Sequence, residues 1–149
     1  MRFERLVNEG RIQPHSTNPQ EVRGMVRAAR RDLRDAAVRS VSADRRFAVA
    51  YQVALGAARI VMFAEGYRPT GEGQHAAAFD FLAQMADAKL SAPAGYFDRC
   101  RVRRHRIDYD QVNVVSETEA DQLLSEATGF LDAVLAWLRR SHPALGAGS

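Results

Sequence analysis

The sequence predicts an all-α protein, an up-and-down bundle of four to five helices joined by short loops. Three observations predict it. Apolar residues recur at helical spacing through most of the chain, with no strand-like alternation of useful length and no internal repeat. Two capping boxes, Asn18 with Glu21 and Ser116 with Glu119, each stand at the start of such a stretch. The stretches are separated by brief Gly- and Pro-containing segments.

Each element follows from local chemistry. Residues 1–18 read as an N-terminal arm, where Phe3, Leu6 and Val7 suit one helical turn before Gly10 and Pro14 interrupt it. Asn18 as N-cap and Pro19 at the first helical position open a helix over 19–39. Val22, Met25, Val26, Ala29 and Leu33 form its apolar face, and arginines occupy the rest. Ser42 caps a second helix, in which only Gln52 and Arg59 are strongly polar between Phe47 and Ala64. A helix apolar nearly all round has to be covered on most sides, by the bundle or by the bundle and a second copy. Gly66 stops it. GYRPTGEG, Gly66–Gly73, is a loop, and a third helix runs over 74–87. A fourth begins near Ala94 and ends near Asp108. The fifth starts at Ser116 and carries the most regular apolar stripe, from Ala120 to Leu138. The bundle is thus expected over 19–140, with a flexible tail at 141–149.

Composition narrows the class. A chain of 149 residues suits one domain, and at this size about 68–70% of the unfolded surface is buried on folding. Hydrophobic residues at 46% and charged residues at 26% argue against disorder. A net charge of +3 permits an anionic partner without requiring one. Arginine far outnumbers lysine, and its planar fork suits phosphate. One cysteine, Cys100, excludes an intrachain disulfide and fits a reducing, cytoplasmic setting. MRFERLVNEGR has no apolar core of a signal peptide, and no membrane span is expected.

Several chemistries are excluded by pattern. Cys100 and His15, His75, His105 and His142 show no zinc spacing, and HExxH is missing, so no metal or cofactor is expected. GYRPTGEG lacks the Gly-Lys-Ser/Thr ending of a phosphate loop, and no Gly-x-Ser-x-Gly elbow occurs. What remains is RCRVRRHRIDYD, Arg99–Asp110, with five arginines and one histidine within eight residues. Helical spacing places Arg99, Arg103 and Arg106 on one face and Arg101 and Arg104 at other angles. Three readings are open: a solvated basic face, a phosphate-binding strip, or a catalytic centre. Asp108, Tyr109 and Asp110 favour the last two, because carboxylates at a helix C-terminus oppose the helix dipole unless something pairs with them. Metal-free RNA cleavage needs a base for the 2′-hydroxyl, a cation for the phosphorane and an acid for the leaving oxygen. His, Arg and Tyr suit these roles. His75, at a helix start after GEGQ, is either a packed or capping histidine or a polar group beside the arginine strip.

The order of segments resembles the HEPN superfamily, the higher eukaryotes and prokaryotes nucleotide-binding domain. DRRFAVAY, Asp44–Tyr51, is similar to the opening of the family's long helix; GYRPTGEGQH precedes a Gly-His-rich helix start; RHRIDYD, Arg104–Asp110, ends an Arg-rich helix. The likeness covers about residues 19–140. It implies a helical bundle that dimerises, often with Arg-rich helices of two protomers meeting in a cleft. It also implies an RNA or nucleotide partner, and metal-independent endoribonuclease activity in toxin–antitoxin, CRISPR or phage-defence systems, frequently beside a nucleotidyltransferase-type partner. The family's catalytic pattern is Arg, four to six residues, then His. Arg99 followed by His105 satisfies that spacing, with Tyr109 orienting the substrate and Arg101, Arg103, Arg104, Arg106, Asp108 and His75 binding it. In the other register Arg104 is the motif arginine, His105 replaces its usual asparagine, and Asp108 stands near the histidine position, as in members that bind without cleaving.

Overall fold

The computed structural model describes residues 2–109 and 114–146, and of Asp108 and Tyr109 the backbone alone. Helix α1 is Glu4–Asn8, followed by a short strand β1, Ile12–Pro14. The long helices are α2 (Pro19–Ala36), α3 (Ala43–Ala64), α6 (Ala94–Tyr109) and α7 (Glu117–Ser141). Strand β2 (Tyr67–Pro69), α4 (Gln74–Ala83), α5 (Ala88–Ser91) and α8 (Pro143–Gly146) complete the order. The fold is all-α, a helical bundle, as the sequence predicts.

Both capping boxes are formed. The Asn18 side chain accepts from Glu21 N at 2.9 Å while Asn18 N donates to the Glu21 carboxylate at 3.0 Å. The Ser116 hydroxyl accepts from Glu119 N at 3.0 Å, and Ser116 N donates to Glu119 at 3.2 Å. Glycine at 66 has φ 90°, the left-handed conformation that ends α3 at low steric cost. Helix α2 stops three residues before the expected end, because Ala37 N and Val38 N turn back to Arg34 O and Asp35 O and tighten the last turn.

Helix α3 is the centre of the bundle. It packs against α2 and α7 along its length and against α4 and α6 near one end. By length and composition it could cross a membrane (hydropathy 1.6), yet 67% of the window concerned is buried inside the bundle. Its side chains Val53, Ala54, Ala57, Ala58, Ile60 and Val61 are fully covered. An aromatic chain runs beside it, Phe79 to Phe97 at 6.0 Å and Phe97 to Phe130 at 5.1 Å, tying α4, α6 and α7 together.

Three expectations need correction. Strand pairing does occur: β1 and β2 form an antiparallel ribbon with Gln13 opposite Arg68. Three residues per strand are too few to leave an alternation in the sequence. The segment read as an arm is held down by this ribbon. Phe3, Leu6 and Ile12 are buried, and Phe3 stacks on Phe81 with centroids 3.9 Å apart. The third helix is shorter than 74–87. It ends at Ala83, and Asp87 caps the separate α5 by accepting from Lys89 N at 2.9 Å, a side-chain competition with the helix backbone. At the other end of the chain, α8 packs on α2 and α7.

Among the described residues, one charged side chain is fully buried. Arg46, on the first turns of α3, is 1% exposed. It donates to Asp121 at 3.0 Å and to Glu117, both on α7, while Arg39 also reaches Asp121 at 2.5 Å. The acceptors lie at the water boundary, so a neutral chain of equal volume at 46 leaves no charge stranded in the core. We therefore expect Arg46→Met to lie within about 1 kcal/mol of wild type in urea unfolding, because the packed stem is kept. Arg46→Ala should cost roughly 2–4 kcal/mol through the cavity it opens. Equal losses in the two variants would show that packing of the Arg46 stem is not what stabilises the α3–α7 contact.

Candidate functional site

The arginine helix α6 lies against α4 and α3, and its helical turn sorts the basic residues onto two sides. Arg101, Arg104 and His105 face a cleft of about 370 Å³ that is also lined by Tyr51 of α3 and by Gly73, Gln74, His75 and Ala76 at the start of α4. Arg99, Arg103 and Arg106 face the other way, toward α7 and solvent. Arg103 donates to Glu119 at 3.1 Å and to the Val114 carbonyl at 2.6 Å, which ties α6 to Val114 and to the first turn of α7. That pairing holds the Glu119 carboxyl below its usual range. Arg99 stands 6.0 Å from the Tyr96 ring and is otherwise exposed.

The structure therefore brings together some of the residues named from sequence and separates others. His75, Arg101, Arg104 and His105 share one cleft. Within one chain, Arg99 does not reach it. Arg103 is engaged with α7, and Arg106 is exposed. The side chains of Asp108 and Tyr109, and all of Asp110, lie outside what the structure describes.

Each side chain in the cleft has a stated support. Gly73, at φ 71°, turns the chain into α4 and brings no capping side chain. The first intrahelical bond runs from Ala77 N to Gly73 O at 3.0 Å. The amides of Gln74, His75 and Ala76 therefore have no partner within their own helix, and they lie at its positive end. His75 Nδ1 is 3.1 Å from the Tyr51 hydroxyl. Tyr51 itself is fully buried, and the Arg104 guanidinium sits 5.4 Å from its ring centroid. Arg101 donates to Asp98 at 2.8 Å, one turn back on α6, which orients it along the cleft wall.

The electrostatics are one-sided. Burial lowers the tendency of His75 to protonate, and the charges of Arg59, Arg104 and Arg101 lower it further. Burial pushes the Tyr51 phenol well above its usual value, although Arg104 and Arg101 pull it down. At neutral pH the pair is thus a neutral imidazole and a neutral phenol. When the phenol donates to Nδ1, Nε2 carries the imidazole proton and is a donor; when Nδ1 donates to the phenol oxygen, Nε2 is a base. Two guanidinium groups, helix amides and a polar pair around one cavity suit a phosphate-sized anion.

Tyr51 is the functional residue that a reading of the chemistry-bearing motifs missed. It was visible as the end of DRRFAVAY, but nothing in that stretch showed that it faces His75. Arg59 was visible as a polar break in an apolar helix, and its charge reaches the same cleft.

The sign of the His75 shift gives a pH dependence. A depressed folded-state value means that the unfolded chain binds the proton more readily. Stability is therefore retained above the ordinary value of 6.5 and lost as pH falls through the lower folded value. His75→Gln should flatten the difference in stability between pH 7 and 5 relative to wild type, and NMR titration should place the His75 midpoint below 6.5. A midpoint at or above that value would contradict the arginine-flanked, half-buried environment.

Comparison with known proteins gives one family. Residues 36–135 match the family described as SAV_6107-like HEPN, a span that holds more than half of the chain and every residue of the cleft. No curated protein and no solved structure matches.

Proposed function

This chain belongs to the SAV_6107-like HEPN family, and on that premise we propose that its cleft between α4 and α6 binds the phosphodiester backbone of an RNA strand. Membership in the family suggests a function directed at nucleotides or RNA. The observation that carries the reading is the convergence of Arg101, Arg104, His75, His105 and the first amides of α4 on one cavity. Arginine forks and helix-end amides recognise phosphate oxygens without regard to base. Among the described residues no carboxylate lines the cleft itself, and Asp98, beside it on α6, is engaged by Arg101.

A second reading, cleavage without metal, is favoured by the two imidazoles lining the same cavity. In that chemistry one imidazole takes the proton of the ribose 2′-hydroxyl. The freed oxygen attacks the adjacent phosphorus, and the bond to the 5′ oxygen breaks as the second imidazole gives that oxygen a proton. The products are a 2′,3′-cyclic phosphate and a 5′-hydroxyl. Arg101 and Arg104 would hold the charge that builds on the phosphorane. His75 suits the base, since its neutral form is favoured at neutral pH, and His105 at the mouth suits the acid.

Fluorescence anisotropy with labelled single-stranded RNA in EDTA separates these readings when the same samples are run on denaturing gels. Arg101→Ala and Arg104→Ala should each weaken binding roughly tenfold, the loss of one charge-assisted contact. Each should also reduce the slope of log K against log salt by about 0.7. Wild-type affinity in both variants would remove the cleft as the binding site. Shortened RNA with wild type, and intact RNA with His75→Ala and His105→Ala, would establish cleavage; intact RNA throughout, with binding, would establish the non-catalytic function.

A further inference from the structure

A second cavity, of about 610 Å³, opens on the other side of Gln74. Its walls come from α2, α3, β2 and the start of α4. Gln74 lines both cavities, so the two adjoin at the N-terminus of α4. The floor is apolar, made by Met25, Phe63 and Pro69, and the rim carries Arg59 and Arg68. This division, a flat apolar floor beside cations, differs from the first cleft, where polar groups dominate.

The cations are placed rather than merely present. Arg59 rises from the buried helix α3, and its Nε is buried with no hydrogen-bond partner among the described residues. A buried guanidinium donor without an acceptor costs free energy unless something supplies one. Arg68 is exposed on β2 and is steadied across the ribbon by its register partner Gln13, whose amide oxygen, turned toward the guanidinium, accepts from Nε at 2.7 Å. The one acid on the wall, Glu21, is already occupied. It accepts from Asn18 N at 3.0 Å and lies 2.8 Å from His15 Nε2. Arg59 also acts electrostatically on His75, which places the two cavities within range of one another.

We propose that this groove is a second nucleotide subsite, in which Arg59 and Arg68 hold the next phosphate of a single-stranded RNA and the Met25–Phe63–Pro69 floor receives its base. The proposal rests on the phosphodiester reading of the first cleft. A strand entering at Arg101 and Arg104 would cross the first turn of α4 at Gln74 and continue toward Arg59. Stacking on an apolar and aromatic floor requires a base free of its partner, which selects single strands over duplex, and it tolerates any base because each has a π-face.

The test compares two probes, a 5′-fluorescein mononucleotide and a tetrauridylate, by anisotropy at low salt. The affinity ratio between them reads the second subsite, and affinity for either probe at all reads the first. Wild type should prefer the tetranucleotide by tenfold or more, the range expected for one stacked base. Arg68→Ala, which removes the exposed cation, and Ala28→Leu, which fills the groove without changing charge, should each bring the ratio close to one. Four uridylates paired within the stem of a stable RNA hairpin should show no such preference. A ratio near one in wild type, or one unchanged in both variants, would overturn the second subsite and leave the first cleft standing. No affinity for either probe would overturn the phosphodiester reading and this one with it.

Discussion

Helix α3 cannot be exposed to water over most of its circumference, and the rest of the molecule is arranged by that constraint. Between Phe47 and Ala64 it carries a nearly unbroken apolar surface, so α2 and α7 must lie along it while α4 and α6 close one end. Such a helix has few places for polar groups, and each one it keeps must be answered by another element. Arg46 is answered by Glu117 and Asp121 of α7, Tyr51 by His75 of α4. Arg59 keeps a buried Nε with no partner among the described residues. The Arg46 and Tyr51 contacts fix how α7 and α4 seat on α3, although Arg46 Nε, like Arg59 Nε, is buried with no partner among the described residues. Arg59 lies at the wall of a groove. Burying a polar group is costly without a hydrogen bond, so these three residues are where the structure gives up apolar packing for something else.

The same logic divides the arginine helix. Residues on α6 advance by the helical turn, so one run of basic residues must split between neighbours whose chemistry differs. The side toward α7 meets Glu119 and the Val114 carbonyl, and Arg103 is absorbed there as a structural tie. The side toward α4 meets amides, a phenol and an imidazole, and there Arg101 pairs with Asp98 on its own helix. A strip that looks uniform in sequence becomes a tie to α7 on one side and a cleft wall on the other, and the partition follows from what stands opposite each turn.

Elements whose determinants lie within a few residues were legible in the sequence. Both capping boxes, the left-handed Gly66 stop and the apolar stripes of α2, α3 and α7 are of that kind. Elements set by partners far along the chain were not. The β1–β2 ribbon joins segments some fifty residues apart with three residues each, and it is this pairing that holds the N-terminal segment on the bundle. Asp87 reads as the end of a helix and is a cap for the next, a choice reinforced by Arg140 at 3.2 Å. For the site, the spacing on α6 correctly set Arg101 and Arg104 apart from Arg99, Arg103 and Arg106, and His75 was recognisable as a residue whose role depended on where α4 and α6 met. The text of the sequence pairs Arg99 with His105 by counting. Helical geometry separates them within one chain, since six residues on a helix do not return to the same face.

The state of His75 links the cleft to its ligand. Its protonation is disfavoured first by burial and then by Arg59, Arg104 and Arg101, the arginines on whose charge both cavities depend. An anion held by these guanidinium groups would screen their field and oppose it with its own charge. The imidazole beside it would then accept a proton more readily. By linkage the converse must hold, so a proton on His75 strengthens the hold on the anion by the same factor. The depressed protonation of His75 thus reports burial and the field of these arginines together. The Tyr51 phenol, kept neutral by burial, adds a hydrogen-bonding group to the cleft without cancelling that field.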